Sequence, residues 1–271
     1  MKNNKAEIFT IFGHKGFFGS NLVKYLKKKN KKIFLPVSNK TIFKNYLGHI
    51  IYCFGTHEAL LNPKKALAGN LSILSEIILN NKFKSFTYLS SIRVYSSNKD
   101  TKEDAKIVIN QREKDIYFKS LKLAAENLCL QIKNPKIKVA RISNIYGYNF
   151  KNQKYLLPTL IRNAKQNKKI IISINKNTKK NYLHVNDAID VLLKIIKKGK
   201  KRLYNIASDK MISLSEIIQL IKKDNKLKIT FTKKSKNKSE AKININRIKK
   251  EFNFIPKFSF QNEIGKIIRE F

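Results

Sequence analysis

The chain has 271 residues, enough to bury a full core either as one large domain or as a main domain with a smaller lobe. Its formal net charge of +40 raises nucleic-acid binding, but only seven of the 58 basic residues are arginine and the lysines are scattered along the whole chain. The arginine forks that read phosphates and bases are therefore scarce, and drift towards Lys, Asn and Ile, all with AT-rich codons, is the simpler account of the charge. No run of 18 uninterrupted apolar residues occurs and Met1 to Glu7 is polar, which argues against a spanning helix or a secretory leader and for a cytoplasmic protein.

In chain order, Glu7 to Phe12 is a short apolar run ending at Gly13. After the glycines, Phe18, Leu22 and Leu26 recur at helical spacing up to the lysines at 27 to 29, so strand, tight turn and helix are predicted. Ile33 to Val37 predicts a second strand and His49 to Phe54 a third, ending at Gly55. The short gap between them implies that one βα unit is trimmed. Leu67, Leu71, Leu74 and Ile78 mark a helix, Phe86 to Leu89 a strand, Leu121 to Leu130 a helix and Val139 to Ile142 a strand. Tyr182 to Val185, a helix from Asp187 to Lys197, and Leu203 to Ile206 continue the same alternation, that of a doubly wound parallel sheet. Residues 150–180 and those after about 208 alternate more weakly and are expected to form a smaller lobe, and Lys233 to Lys242, charged and without apolar anchors, reads as a mobile loop. Cys53 and Cys129 sit in apolar runs with no metal or redox spacing and read as buried thiols.

Gly13-His14-Lys15-Gly16-Phe17-Phe18-Gly19, between a strand and a helix, is the first chemical signal. Glycines let a backbone turn sharply against a pyrophosphate while the helix N-terminus offers unpaired N–H groups. Gly13, Gly55, Ser91 and Asn144 each follow directly on a predicted strand, so all four are expected on one rim of the sheet, where parallel sheets bind ligands.

The G-x-x-G-x-x-G spacing resembles that of the extended short-chain dehydrogenase/reductase superfamily, and further segments are similar to its nucleotide-sugar epimerase/dehydratase branch. They are Phe86 to Tyr95 with its Ser90-Ser91, Tyr117 to Glu126, Arg141-Ile142-Ser143-Asn144-Ile145-Tyr146-Gly147, and Tyr182-Leu183-His184-Val185-Asn186-Asp187. The resemblance implies an α/β Rossmann fold, shortened after strand 2, with an NAD(P)-binding domain at 1–149 and 181–207. A smaller substrate-binding lobe would occupy 150–180 and 208–271. It implies an NAD(P)-dependent epimerase or reductase of nucleotide sugars, in surface-polysaccharide synthesis, with a homodimer common by analogy. The cofactor would lie against Gly13, Lys15, Gly16, Phe17, Phe18 and Gly19, against Phe54 and Gly55, and beside Ser38 and Lys40 after the second strand. No acidic residue follows that strand and the Gly13 to Gly16 loop is similar to the Gly-His-Arg-Gly loop of NADPH-using GDP-fucose synthases, so NADP is favoured over NAD.

In that family a tyrosine exchanges a proton with the sugar, a lysine lowers its pKa and a Ser or Thr holds the reacting oxygen. Ser91 matches the hydroxyl. Tyrosine and lysine should stand four apart, yet Tyr117 and Lys122 are five apart. Along a helix four residues rotate by about 40° and five by about 140°. Either Leu121 is an extra residue absorbed as a π-bulge, which keeps Tyr117 with Lys122 and is the favoured register, or Phe118 stands in the tyrosine's place and proton transfer is crippled or relocated. The second register suits a cofactor-binding scaffold or sensor. Ile92-Arg93 replaces the Asp-Glu of sugar 4,6-dehydratases, which disfavours dehydration. Arg93 would face either substrate phosphates or solvent, and Asn144 would hold the substrate diphosphate. No metal site is expected.

Overall fold

The computed structural model describes residues 7–36, 46–55, 59–148, 155–166, 169–222, 228–236 and 239–271. Its centre is a six-stranded sheet built from β1 (Ile8–Phe12), β2 (Lys32–Phe34), β3 (His49–Tyr52), β4 (Ser85–Ser91), β5 (Ile137–Ile142) and β9 (Leu203–Ile206). The order is β2-β1-β3-β4-β5-β9, and every pairing is parallel. Strands covered on both faces need apolar residues at successive positions, which is why β1 and β3 read as unbroken runs. The sheet is the Rossmann-type α/β arrangement expected, with no strand beyond β2 among the described residues.

Helices cover both faces. On one, α1 (Phe17–Lys28) contributes Leu22 and Leu26, and α6 (Val185–Lys198) contributes Ile189, Leu192, Ile195 and Ile196. On the other, Leu74, Ile77 and Ile78 of α3 (Ile73–Asn80) meet Ala125 and Cys129 of α4 (Ile116–Gln131) above Ile50 and Tyr88. Each such Ile or Leu contributes about 1.5–3 kcal/mol when fully buried. The predicted helix around Leu67 to Ile78 is present in three pieces: α2 (Pro63–Leu67), a π turn at Ala68–Ser72, and α3.

A second core gathers α5 (Leu156–Lys165), β7 (Ile170–Ile174), α7 (Leu214–Lys222) and α9 (Phe260–Glu270) around Leu160, Ile161, Ile217, Ile221 and Ile264. Here the structure departs from expectation in three places. Tyr182 to Val185 does not extend the main sheet: β8 (Lys179–His184) lies between β6 (Asn144–Tyr146) and β10 (Met211–Ser213) in a separate three-stranded sheet, where Tyr182 packs on Phe260. The run predicted to be a mobile loop begins as strand, because β11 (Ile229–Lys236) pairs with β7 through backbone groups that need no apolar side chain. Finally, Ile243, Ile245, Ile248 and Phe254, around α8 (Asn246–Phe252), join the first core although they lie beyond residue 208.

Candidate functional site

The glycine turn sits at the carboxyl end of β1. Gly13 has φ +80°, and a Cβ there would lie 2.7 Å from the Cys53 carbonyl carbon, so only glycine lets the turn close on the neighbouring strand. Gly16 N–H donates to Gly13 O at 3.0 Å, and a Cβ on Gly19 would fall 2.3 Å from that same oxygen. α1 therefore starts hard against the turn, with Gly16 as its N-cap and no side chain capping its first N–H groups. A Cβ on Gly16 would meet nothing within 4 Å except Gly13 O, at 3.3 Å, which leaves the exposed helix end open to an anion. These residues fit a dinucleotide pyrophosphate: an exposed, positive helix end and a glycine whose missing Cβ leaves room beside it. Lys15 is exposed beside the turn, and Phe17 and Phe18 are half-buried against the first core. Phe54 is half-buried and Gly55 exposed after β3. Ser38 and Lys40 lie outside the described residues.

Gly13, Gly55 and Asn144 lie just beyond the ends of β1, β3 and β5, and Ser91 is the last residue of β4, so the four share one rim. Ser91 is half-buried at the end of β4 and accepts the Arg93 N–H at 3.2 Å, capping the 3₁₀ turn Ile92–Tyr95. Its hydroxyl hydrogen is still available to a ligand. Lys122 is buried on α4 and donates to Leu89 O at 3.0 Å, with its Nζ 4.8 Å from the centre of the Tyr88 ring. A Cβ on Gly55 would come within 3.4 Å of that ammonium, so Lys122 looks directly at the backbone after β3. Burial pushes its pKa down to about 8, against the opposing pull of Glu126 and Cys53. Asn70 braces helix to sheet, donating to Ala66 O and accepting from the Tyr88 hydroxyl.

The favoured tyrosine register is corrected by the geometry. α4 is α-helical throughout, and the π turn of this chain lies elsewhere, at Ala68–Ser72. With no bulge, Phe118 and Lys122 are four apart on one buried face, the ammonium 5.9 Å from the centre of the Phe118 ring. Tyr117 turns towards α2, where its hydroxyl donates to Pro63 O at 3.2 Å. Ser91, Lys122 and Phe118 thus belong to one corner, and Tyr117 does not.

Arg93 and Asn144 also have defined partners. The Arg93 guanidinium stacks on the Phe118 ring, 4.3 Å from its centre, and pairs with Asp115. Asn144 Nδ2 donates to Asn181 O at 2.8 Å and to the Glu240 carboxylate at 2.9 and 3.0 Å, so both its hydrogens are spent within the chain. Glu240 also accepts from Asn181 N–H at 3.0 Å. A carboxylate therefore occupies the position at which a diphosphate was expected; Glu240 lies in a lysine-rich stretch without a motif, and nothing in the sequence marked it. Beneath the site, Arg141 of β5 grips Glu126 of α4 with Nε and Nη2, at 2.6 to 3.1 Å, and fixes that helix on the sheet. Cys129 is buried and its thiol is raised to about 12 by burial, while Cys53 is half-buried with its thiol also raised. Among the described residues no cluster of three or more His, Cys, Asp or Glu could hold a metal ion, and no helix is long and apolar enough to cross a membrane.

Comparison with known proteins agrees with this architecture. A dTDP-D-glucose 4,6-dehydratase of Dictyostelium discoideum is 29% identical over 81% of this chain and 63% of its own length. The chain thus spans under two thirds of that relative. Among solved structures, RMD from Pseudomonas aeruginosa complexed with NADPH superposes with a TM-score of 0.80 at 20% identity, covering 97% of this chain and 99% of its own. A tyrosine-to-phenylalanine variant of UDP-glucuronic acid 4-epimerase from Bacillus cereus, in complex with a 4-deoxy-4-fluoro UDP-glucuronic acid and NAD, gives 0.80 at 15% identity and the same coverage. The NAD dependent epimerase/dehydratase profile matches residues 49–207, from β3 through β9 and so across the corner that holds Ser91, Phe118 and Lys122, and the chain belongs to that family.

Proposed function

We propose that this protein binds a nicotinamide dinucleotide along the glycine turn and a nucleotide sugar at the strand ends, without the tyrosine-driven proton transfer of a fast epimerase or reductase. The observation that carries this reading is Phe118 beside Lys122, with the Tyr117 hydroxyl bonded to Pro63 O on the other side. A phenyl ring cannot exchange a proton, whereas positioned acid–base groups contribute roughly 10²- to 10⁴-fold. Groups suited to binding are retained: the glycine turn suits a pyrophosphate, Ser91 keeps a free hydroxyl hydrogen, and the Lys122 ammonium lies beside Gly55 at the strand ends. Sugar 4,6-dehydration is the least suited chemistry despite the name of the Dictyostelium relative, since Ile92 and Arg93 offer neither acid nor base after Ser91.

A second reading, an active epimerase or reductase serving surface-polysaccharide synthesis, is favoured by one observation. An amine whose pKa has fallen to about 8 is partly neutral near physiological pH, and Lys122 could take the sugar proton itself. The exposed Lys15 beside the turn suits the additional phosphate of NADP, the preferred cofactor on this reading.

The test pairs the wild type with Phe118→Tyr. Binding of NAD(H) and NADP(H) is followed by calorimetry, and conversion of UDP- and dTDP-sugars by product chromatography, since an epimerase recycles its cofactor. Wild-type protein should bind cofactor and sugar but turn over at least about 100-fold more slowly than Phe118→Tyr. Wild-type turnover on the order of 1–10³ s⁻¹, unimproved by the added phenol, supports the second reading; absence of dinucleotide binding rejects both.

A further inference from the structure

Two cations flank the Phe118 ring, the Arg93 guanidinium 4.3 Å from its centre and the Lys122 ammonium at 5.9 Å. Lys122 is buried and donates to Leu89 O. Lys119, the next basic side chain on α4, is buried in bonds to Val108 O, Ser96 and Glu113 and is turned away. Arg93 differs from both. It is partly exposed, with 29% of its side chain open to solvent, and its one ionic partner among the described residues, Asp115, is 61% exposed. A guanidinium presents five N–H donors in a planar fork matched to a carboxylate, and an ion pair this open to water is exchangeable at little cost.

We propose that Arg93 selects a sugar bearing a carboxylate, so that the ligand is a nucleoside-diphosphate uronic acid whose carboxylate pairs with the guanidinium beside the Phe118 ring. This rests on the reading that a nucleotide sugar occupies the strand ends, and it adds the class of sugar. Asp115 acts as the resident stand-in: a carboxylate already lies on the fork, and the ligand's own carboxylate takes over or shares the remaining donors. A planar, charge-assisted pair held against an aromatic face discriminates by the loss of that pair when the sugar is neutral.

Full-length protein loaded with NAD⁺ is titrated calorimetrically with UDP, UDP-glucose and UDP-glucuronic acid, alongside Arg93→Gln and Asp115→Asn. The wild type should bind UDP-glucuronic acid about 10- to 100-fold more tightly than UDP-glucose. Arg93→Gln should bring that ratio close to one while leaving UDP and UDP-glucose unchanged, and Asp115→Asn, which frees the fork without removing it, should raise the affinity for the uronic acid. Equal binding of the two sugars by the wild type overturns the inference alone and leaves nucleotide-sugar binding standing. A ratio that survives Arg93→Gln overturns it too, as does an equal loss of all three ligands, which would place a phosphate on Arg93. If the cofactor-loaded wild type binds none of the three, the underlying reading falls as well.

Discussion

Lys122 provides a test of the site that needs no substrate. Lys122 is 7% exposed, its ammonium is joined by no carboxylate within ion-pair distance among the described residues, and burial lowers its pKa to about 8 in the folded protein from the 10.5 of an unhindered lysine. The folded-state pKa is lowered, so burial of the charge costs stability below pH 8, and that cost is relieved as pH rises from about 8 towards 10.5. At one pKa unit per about 1.4 kcal/mol, the penalty at pH 7 is about 3 kcal/mol, shrinking to about 1 kcal/mol at pH 9.5. Lys122→Met removes the titration. It also removes the bond to Leu89 O and the contact with Tyr88, which shift the offset between the two proteins but not its dependence on pH. Urea unfolding of cofactor-free wild type and variant, at pH 7 and 9.5, should therefore show the wild type gaining about 2 kcal/mol on the variant across that interval. A stability difference that stays constant with pH would refute an ammonium whose pKa burial has lowered.

Removing one member of the buried pair beneath the site, by Glu126→Ala, should cost about 3–5 kcal/mol in urea unfolding, because Arg141 is left charged and unpaired; Glu126→Leu with Arg141→Met should recover most of it. A single variant within 1 kcal/mol of wild type would show that the pair does not hold α4 to the sheet. Gly19→Ala places a methyl group 2.3 Å from Gly13 O, so the turn must open; calorimetric NAD⁺ affinity should fall at least tenfold with helical circular dichroism preserved, and unchanged affinity would remove the pyrophosphate from this turn. Glu240→Gln withdraws the carboxylate that Asn144 now serves, and should tighten UDP binding on the order of threefold to tenfold; equal or weaker binding would mean that Glu240 helps to hold the nucleotide.

Those parts of the fold that repeat a local rule can be read from the sequence. β1, β3, β4 and β5 are buried on both faces, and their apolar runs, each closed by a ligand-competent residue, located the rim without reference to any structure. The apolar end of β8, Tyr182 to Val185, reads like a strand of the main sheet although its first half is polar; what decides its place is pairing with β6 and β10, and the hold of Asn181 on Ser208 O, contacts remote in sequence. The same holds for Glu240, whose partners Asn144 and Asn181 lie far upstream. Arg141 and Glu126 were visible as members of two motifs, yet only the geometry shows that they form one pair.

The tyrosine register shows how a local ambiguity is settled at a distance. A π-bulge between Tyr117 and Lys122 would have to rotate the first turn of α4 against the rest by about 100°, the angle of one residue. Lys119 forbids this. The residue is buried, and its Nζ is held by Val108 O at 2.7 Å, Ser96 Oγ at 3.1 Å and Glu113, so the first turn is tied to the 96–113 segment. About two turns later Glu126 is tied to Arg141, which fixes the far side of any bulge. Between these two anchors regular α-helix is the arrangement that satisfies both, and it puts Phe118 inward and Tyr117 outward. Nor can Tyr117 swing back at a rotamer's cost, since its ring packs in the small cluster with Phe118, Ala59 and Ala66. The site therefore differs from a tyrosine-bearing one by a single oxygen on a ring already in place, which is why Phe118→Tyr is the decisive substitution and Tyr117→Phe should leave both binding and turnover where they are.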